Sequence, residues 1–337
     1  MIGRAHIGAL LNSPTATLAA VVDPANARME AVSKAGVPTY PSLEALIGTD
    51  PPDGVVLATP NTLHLEHALL CMAAGLPILL EKPIAVTVAE AAALVRAADA
   101  AKSRILIGHH RAHSPLMAQA KAVIDSGRLG SLVAVTGSAT FLKPDSYFAE
   151  APWRSLPGGG PILINMIHEV HNLRMLCGDI VAVQAFSSSA VRGSAVEDTV
   201  AINLRFAGGA LGTFILSDTA ACPRSWEQTS QENPAYATYR DEDCYVVAGT
   251  NGCLGIPTMR LKTYPRPDDR SWLKPFDVEE LTVVRADPIE RQMEHFGAVI
   301  RGEVPPLVTA RDGLKNLEVT EAIVEAARTG RTVEVPG

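Results

Sequence analysis

Short apolar runs alternate with helix-forming segments along the first third of the chain, and this rhythm is the strongest constraint on its fold. Residues 54–61, 78–80 and 105–108 are apolar runs of strand length that end at turn-forming or polar residues. The segments between them, residues 64–74 and 87–101, have the length and periodicity of helices. Buried strands that alternate with helices are typical of a parallel sheet covered on both faces. The pattern therefore predicts an α/β domain with a doubly wound parallel sheet of the Rossmann type.

The pattern changes at about residue 131, where longer strands with period-two alternation begin. They are expected at residues 132–141, 181–187, 199–206, 210–217 and 245–248. The pair Gly208-Gly209 is a hairpin signal between two of them. Few helices intervene, which predicts an α+β domain with an open antiparallel sheet. We therefore divide the 337 residues into a first domain at 1–112 and a second at 113–337.

A lysine lies where α/β proteins gather their ligands. The apolar run of residues 78–80 stops at Glu81, Lys82 and Pro83, so Lys82 is expected directly past the carboxyl end of a buried strand. Pro83 would end the strand and fix the backbone there. A lysine amine in a partly dry cleft can lose its proton near neutral pH, as a general acid–base must. Taken alone, these residues fit a surface turn after a core strand at least equally well.

The start of the chain carries part of a dinucleotide-binding signature. That signature needs a strand, a glycine-rich turn, a helix, and an acidic residue about twenty positions later. Gly3 and the helix after it match the last glycine, and Asp23 ends the next strand at the right distance. A carboxylate there accepts hydrogen bonds from the adenosine ribose and repels a 2′-phosphate, which favours NAD over NADP. Asp23 by itself is also typical of a turn after a strand.

The first strand of the signature and its first two glycines are missing, because the chain begins two residues before Gly3. In this fold that strand is central, and its turn holds the pyrophosphate. Two explanations compete: Met1 is an internal methionine with the true start upstream, or the chain is a shortened product that binds dinucleotide poorly. We favour the first, since a central strand is costly to lose and the later segments are intact.

Six short motifs follow one another in a fixed order along the chain. They are Ile2-Gly3-Arg4-Ala5-His6, Val21-Val22-Asp23-Pro24, Ala58-Thr59-Pro60-Asn61 with His64, Glu81-Lys82-Pro83, Gly158-Gly159-Gly160 with His168, and Asp312-Gly313-Leu314. Together they resemble the glucose–fructose oxidoreductase / inositol dehydrogenase / MocA family over essentially the whole chain, except for the missing start. Each motif alone is weak, and their order makes the resemblance specific.

The resemblance implies an NAD(P)-dependent dehydrogenase that acts on CH–OH groups. It implies that residues 1–112 bind the dinucleotide, that residues 113–337 bind substrate and form the oligomer, and that substrate and nicotinamide lie between them. Lys82 and His168 would be the catalytic residues that handle the proton. The dinucleotide would be contacted by Ile2, Gly3, Asp23, Ala58, Thr59, Pro60, Asn61, His64, Glu81 and Lys82.

The sequence departs from the family pattern before the histidine. Family members often carry Asp four residues earlier, where this chain has Ile164 followed by Asn165. Asn165 and His168 are three residues apart and would share a helix face, so Asn165 is expected to hold substrate together with His168. The rest of the predicted substrate site consists of His110, Arg111, Trp153 and Arg154, although exposed arginines are more often simply solvated.

Composition and spacing argue against several other classes of protein. The formal net charge of −7 argues against nucleic-acid binding, which needs a basic surface. No run approaches 18 apolar residues, so no membrane span is expected. The five cysteines are scattered without a C-x-x-C pair, which predicts reduced thiols and a cytoplasmic protein. His168 and His171 are three residues apart, whereas a zincin helix needs four, so no metal site is expected.

We therefore predict an NAD(P)-dependent oxidoreductase, with NAD preferred, for a sugar, polyol or related secondary alcohol or ketone. The alternating strands of the second domain leave one sheet face for a partner subunit, which predicts a homodimer or homotetramer. Two alternatives stay open. One is a non-catalytic binding or regulatory protein on the same scaffold, which the missing glycine turn supports. The other is a redox-neutral enzyme that uses NAD, such as a glycosidase.

Overall fold

The structure, a computed structural model, describes residues 2–25 and 36–336. It has two compact units, described here one at a time: Met1–His113 with Pro288–Leu317, and Ser114–Asp287 with Glu318–Gly337. Residues 288–317, which fall within the predicted second domain at 113–337, group with the first unit. The helix that the sequence predicts over residues 27–35 lies outside the described residues.

The first unit contains five short parallel strands in two sheets. Strands β1 to β5 are Val21–Val22, Thr39–Tyr40, Val55–Leu57, Ile78–Leu80 and Ile105–Ile107. β1 pairs with β2, and β3, β4 and β5 form the second sheet in that order. All three residues of the central strand β4 are fully buried, as expected for a strand covered on both faces.

Two helices of this unit match the predicted segments 64–74 and 87–101 to within one residue. Helices α1 to α4 are Ile2–Asn12, Leu43–Thr49, His64–Ala73 and Val88–Ala101. Ser42 caps α2 by accepting a hydrogen bond from Ala45 N, and Thr87 forms a reciprocal capping box with Glu90 at the start of α4. Gly75 follows α3 with a φ of 71°, a conformation that favours glycine. Parallel strands with intervening helices confirm the predicted α/β fold of the first unit.

The second unit is built on one nine-stranded sheet. Strands β6 to β14 are Leu132–Thr140, Ile180–Ser188, Thr199–Phe206, Leu211–Ser217, Tyr245–Gly249, Gly252–Ile256, Arg260–Thr263, Asp277–Glu280 and Val333–Glu334. Their spatial order is β13-β12-β11-β10-β6-β9-β8-β7-β14. Every neighbouring pair is antiparallel, as predicted, except β6 and β9, which run parallel. The sheet is therefore mixed. A tight turn joins only antiparallel neighbours, and no such turn joins β6 to β9, so these two strands can run parallel.

One face of this sheet is covered by helices and the other is open. Helices α5 to α8 are Pro115–Asp125, Asp145–Ala149, Ile167–Cys177 and Trp226–Thr229. Leu116 of α5 and Val170 of α7 belong to the same buried core as Ile202 and Leu204 of β8. Residues of β8 are alternately buried and exposed along the strand, which is the pattern of a sheet with one solvated face.

The chain then returns to the first unit. Helices α9 and α10 are Pro288–Arg301 and Ala310–Thr329, and α10 contributes its residues up to Leu317 to the first unit. Arg104 Nη1 donates hydrogen bonds to the carbonyl oxygens of Val299 and Ile300, both at 2.9 Å. The amide of Ile107 in β5 donates to the carbonyl of Val308 at 2.9 Å. Residues from the end of the chain thus complete the first unit beside β5.

Candidate active site

Lys82 lies directly past the carboxyl end of β4, as the sequence predicts. β3 and β5 flank β4 in parallel, so the ends of all three strands meet at this edge of the sheet. The Glu81 amide donates to the Leu57 carbonyl at 3.0 Å, and the chain then leaves the sheet. The Lys82 side chain is half-buried, and the Lys82–Pro83 peptide is cis.

Glu81 is the buried support of the Lys82 backbone. One of its carboxylate oxygens is 2.8 Å from His6 Nε2, and the other accepts a hydrogen bond from the Lys82 amide at 3.2 Å. Both Glu81 and His6 are almost completely buried. Gly108 packs against this carboxylate so closely that a Cβ on Gly108 would lie 2.8 Å from Glu81 Cδ. His6 belongs to a motif noted in the sequence, but its contact with Glu81 was not predicted.

His64 joins the two loops that follow β3 and β4. Its Nδ1 is 2.8 Å from the carbonyl oxygen of Pro83, and its Nε2 is 3.0 Å from that of Thr59. A neutral imidazole has one N–H group, so both contacts are hydrogen bonds only when the ring is doubly protonated. Burial lowers the pKa of His64, whereas both carbonyl groups act to raise it. The ring holds the loop at Thr59 and the turn at Lys82 in fixed relation.

The residues predicted to hold a dinucleotide lie after the carboxyl ends of parallel strands, where such ligands bind. Asp23 follows β1, and its Oδ1 accepts a hydrogen bond from Ala25 N at 2.9 Å. Residues 58–61 follow β3, and a Cβ on Gly3 of α1 would be 3.6 Å from Ala58 Cβ. The Thr59 hydroxyl oxygen is buried and has no hydrogen-bond partner among the described residues. A buried hydroxyl in need of a partner at this edge fits a bound dinucleotide.

His110 and Arg111 form part of a 3-10 turn, His110–His113, that follows β5. Arg111 is buried, with 3% of its surface exposed, so the alternative of a simply solvated arginine does not hold at this position. Burial, together with the positive charges of Arg111 and Lys82, lowers the pKa of His110 to about 3. A neutral imidazole therefore lies close enough to Lys82 for the two side chains to interact electrostatically.

In the second unit, His168 is placed by a turn that begins at the triple glycine. Gly160 has a φ of 82°, and a Cβ there would lie 2.7 Å from the Glu197 carboxylate. That carboxylate accepts a hydrogen bond from Ile162 N at 2.9 Å. A π-helical segment, Ile162–Met166, leads directly into α7, which carries His168. π-Helical turns inside helices are frequent at functional sites.

A buried hydrogen-bond network fixes α7 behind His168. The Tyr245 hydroxyl of β10 donates to the carboxylate of Glu169 and accepts from Asn172 Nδ2 at 3.0 Å. Glu169 and Asn172 are each at most 1% exposed. Because this network ties the helix to the sheet, the position of His168, which is 8% exposed, is rigidly determined.

Asn165 lies in the π-helical segment rather than in the regular helix expected from its spacing to His168. Its Oδ1 accepts a hydrogen bond from Lys143 Nζ at 2.6 Å. Burial lowers the pKa of Lys143 to about 8. Lys143 was not predicted as a site residue. It follows strand β6 by three residues, and a position shortly after a strand is the feature that pointed to Lys82.

Trp153 and Arg154 lie on a 3-10 turn, Pro152–Ser155, beside the same cluster. Trp153 is 54% exposed. The Arg154 guanidinium stacks on the Tyr147 ring at 3.7 Å from its centroid and donates to the Tyr147 carbonyl at 2.5 Å. Arg154 is therefore held in place, whereas Trp153 is open to solvent.

Neither a metal centre nor a membrane span is found in the described parts of the chain. Across residues 2–25 and 36–336, no group of three or more His, Cys, Asp or Glu side chains is arranged to hold a metal ion. None of the helices found there combines the length and apolar character needed to cross a membrane.

Both parts of the chain match models of one protein family. The model described as the oxidoreductase family with NAD-binding Rossmann fold (GFO/IDH/MocA) matches residues 1–109. The model of the GFO/IDH/MocA C-terminal domain matches residues 117–254.

Individual relatives cover most of the chain. The 1,5-anhydro-D-fructose reductase of Ensifer adhaerens is 31% identical over 301 residues, which cover 87% of this chain and 83% of the relative. The D-xylose 1-dehydrogenase (NADP(+)) 2 of Haloferax volcanii is 25% identical over 320 residues, which cover 94% of this chain and 91% of the relative.

A solved structure shows the same fold. The WlbA dehydrogenase of Bordetella pertussis, crystallised with NADH and UDP-GlcNAcA, aligns with a TM-score of 0.78 and 24% identity over 100% of this chain and 96% of its own. With two successive family models matched and a 31% identical relative aligned over most of its length, the chain belongs to the GFO/IDH/MocA family of oxidoreductases.

Proposed function

We propose that this chain is an NAD(P)-dependent dehydrogenase of a sugar, polyol or related secondary alcohol, in which Lys82 and His168 handle the proton. The placement of Lys82 carries the proposal. A half-buried lysine at the carboxyl end of a central parallel strand has its backbone amide bonded to the Glu81 carboxylate, and His64 bonds the following Pro83 carbonyl. Such support is what a proton-transferring group needs to keep its geometry. Relatives named as a sugar reductase and a sugar dehydrogenase agree with this chemistry.

The dinucleotide would be held by the loops after β1, β3 and β4 and by the start of α1. The contacting residues proposed are Ile2, Gly3, Asp23, Ala58, Thr59, Pro60, Asn61, His64, Glu81 and Lys82. A bound nicotinamide supplies the hydride chemistry, so the protein contributes binding, orientation and proton handling. We propose a preference for NAD, because the Asp23 carboxylate would repel a 2′-phosphate. The D-xylose dehydrogenase relative is named as NADP-dependent. The proposed preference for NAD therefore rests on Asp23 and not on membership of the family.

The remaining roles follow from this assignment. The first unit would bind the dinucleotide, and the second would bind substrate and form the oligomer. Within the second unit, Asn165, Trp153 and Arg154 would contact substrate beside His168; His110 and Arg111 would do so from the first. No disulfide joins any of the five cysteines, which all lie among the described residues, and a cytoplasmic location is proposed on that ground.

The test is a fluorescence titration of the full chain with NADH and NADPH, followed by turnover assays. D-xylose, myo-inositol and 1,5-anhydro-D-fructose serve as first substrates. Lys82→Ala should lower turnover by about 100-fold or more, and it should weaken dinucleotide binding by a smaller factor than it lowers turnover. Lys121→Ala is the matched control, because Lys121 is exposed and pairs with Asp125 on the surface of α5.

Each other outcome has a distinct meaning. Absence of NADH and NADPH binding contradicts the proposal. Binding without turnover of any hydroxy compound would favour the binding-protein alternative. Bond cleavage in a glycoside with no NADH released or exchanged during turnover would favour the redox-neutral alternative.

A further inference from the structure

Lys143 is a largely buried cation in the second unit to which the proposed chemistry gives no role. Its backbone is fixed by a hydrogen bond from Lys143 N to the Asp218 carbonyl at 2.9 Å. Its ammonium group donates to Asn165 Oδ1 at 2.6 Å and lies 5.2 Å and 4.8 Å from the ring centroids of Phe141 and Tyr147. No carboxylate in the described parts of the chain forms an ion pair with it.

A buried ammonium without a carboxylate partner is unfavourable. Removing a charge from water costs free energy that an opposite charge or several hydrogen bonds must offset. One amide oxygen and two aromatic faces offset only part of it. Burial accordingly lowers the pKa of Lys143 to about 8, against the opposing influence of Asp218 and Glu227. An anionic ligand would supply the negative charge that offsets the ammonium group of Lys143.

The contact with Lys143 also fixes which way the Asn165 amide points. An ammonium group can only donate hydrogen bonds, so the amide oxygen of Asn165 must face it. The amide nitrogen then points the other way, and no acceptor for it is found among the described residues. Lys143 and Asn165 therefore present only hydrogen-bond donors to a ligand. Asn165 lies three residues before His168, in the π-helical segment Ile162–Met166. Such a pair selects an acceptor group, and a carboxylate satisfies both members.

The carboxylates near Lys143 form their ion pairs with Arg192 and not with Lys143. Arg192 is neutralised by Asp218, with Nε 2.9 Å from Oδ1, and a second carboxylate, the fully exposed Asp145, lies 3.6 Å from Arg192. Arg154 stacks on Tyr147 and forms no ion pair with a carboxylate of the described residues. A cleft of about 560 Å³ opens beside these groups. Its charged and polar lining consists of Lys143, Asp145, Ser155, Arg192, Ser194 and Thr219.

We propose that Lys143 and Asn165 bind a carboxylate of the substrate, so that the enzyme prefers sugar acids, such as uronic or aldonic acids, over the corresponding neutral sugars and polyols. Lys143 is then a specificity-determining residue, and Asn165 is oriented by it. The inference rests on the proposed function and narrows its substrate class. The hydroxyl groups of the cleft are of the kind that bind the remaining hydroxyls of such a ligand.

The test uses matched compounds that differ only in carboxylate against hydroxymethyl: D-glucuronate and D-glucose, D-galacturonate and D-galactose, D-gluconate and D-sorbitol. Binding to the full chain is measured by calorimetry at pH 7, with and without NADH. In at least one pair the acid should bind at least about tenfold more tightly, as expected for a charge-assisted hydrogen bond. If no pair shows a preference for the acid, the proposal is overturned.

Three variants locate the effect. Lys143→Met should lose about 10- to 100-fold in affinity for the acid and change affinity for its neutral partner by less than about threefold. Lys143→Arg should restore part of the preference, because it keeps the charge. Asn165→Leu should also reduce the preference for the acid over its neutral partner. If Lys143→Met does not fold, Asn165→Leu tests the proposal in its place. A preference for the acid that survives both Lys143→Met and Asn165→Leu contradicts the proposal.

The two proposals fail in different ways. If the chain binds the acid through Lys143 but neither binds NADH nor turns over substrate, the dehydrogenase function fails and the carboxylate site stands. If NADH binding and turnover of neutral sugars are intact without any preference for acids, only the carboxylate site fails.

Discussion

The imidazole of His64 lies between two backbone carbonyl groups, with Nδ1 2.8 Å from the oxygen of Pro83 and Nε2 3.0 Å from the oxygen of Thr59. This ring is the direct link between the start of helix α3 and the turn that carries Lys82. The His64 ring is itself buried, with 1% of the residue exposed.

Replacing His64 should therefore disturb both loops. His64→Leu removes the N–H group that the neutral ring donates to one of the two carbonyl groups, and the loss of such a donor costs about 1 to 3 kcal/mol of folding free energy. NADH affinity should fall as well, because Thr59 and Lys82 both belong to the proposed dinucleotide site. Urea unfolding and fluorescence titration measure the two effects. His67→Leu, one turn further along α3, is the control; equal unfolding midpoints for the two variants would contradict this role.

Gly108→Ala should displace Glu81. The added methyl group would lie 2.8 Å from the carboxyl carbon and 3.0 Å from Glu81 Cα, so the carboxylate has to shift away from His6. Overpacking of this kind costs about 1 to 3 kcal/mol. Gly8→Ala in helix α1 meets no atom within 4 Å and should instead stabilise the protein slightly. Thermal unfolding of both variants tests the opposite signs, and a Gly108→Ala protein as stable as the wild type would show that Glu81 is free to move.

Lys143→Met should stabilise the protein at neutral pH. The pKa of Lys143 is lowered to about 8, mainly by burial, while Asp218 and Glu227 raise it and Arg154 and Arg192 lower it. Below pH 8 the folded protein carries an unfavourable buried charge, and this penalty disappears as the pH rises toward the ordinary pKa of lysine. The variant should melt at least about 2 °C above wild type at pH 7, the shift that roughly 1 kcal/mol gives.

The same comparison near pH 10 should show a smaller difference between Lys143→Met and wild type. Lys121→Met on the exposed surface of α5 is the control and should show no such pH dependence. A difference in melting temperature that is constant between pH 7 and pH 10 would mean that the Lys143 charge is not the cause.

Asp23→Asn should change cofactor preference without changing the turn. The asparagine carbonyl can still accept the hydrogen bond from Ala25 N, but the negative charge is gone. The ratio of NADPH to NADH affinity should rise by about tenfold, because repulsion of the 2′-phosphate is removed. Fluorescence titration with both dinucleotides measures the ratio, and an unchanged ratio would remove Asp23 from the proposed cofactor site.

The open face of the nine-stranded sheet should form the subunit interface. Phe186 of β7, Ile215 of β9 and Val246 of β10 are exposed on it at 66%, 40% and 37%. Phe186→Asp should convert a dimer or tetramer into monomers at micromolar concentration in sedimentation analysis. Val284→Asp, at an exposed position outside the strands, is the control. A monomeric wild-type protein would contradict this interface.

Local features of the fold were predictable because local chemistry sets them. Ser42 and Thr87 begin helices and Gly75 ends one, since a cap or a left-handed turn needs only neighbouring residues. The position of Lys82 followed from a short apolar run and the rule that ligands gather at the carboxyl ends of strands. The hairpin at Gly208-Gly209 also follows from the two residues that form it.

Features set by distant residues were not predictable in the same way. The parallel pairing of β6 with β9 joins strands about seventy residues apart, and nothing in either strand specifies its direction. The contact of Lys143 with Asn165 depends on a π-helical turn that the sequence pattern treats as regular helix. The hydrogen bond between His6 and Glu81 joins residues 75 positions apart, so the sequence of neither motif predicts the contact with the other.

The return of Pro288–Leu317 to the first unit has a consequence for synthesis on the ribosome. β5 and Arg104 obtain hydrogen-bond partners from Val299, Ile300 and Val308, which are made about 200 residues later than β5. The nascent dinucleotide-binding half must therefore wait for these partners while residues 114–287 of the second unit emerge. A fragment ending near residue 112 would lack these partners permanently and would be a substrate for chaperones and proteases rather than a separable domain.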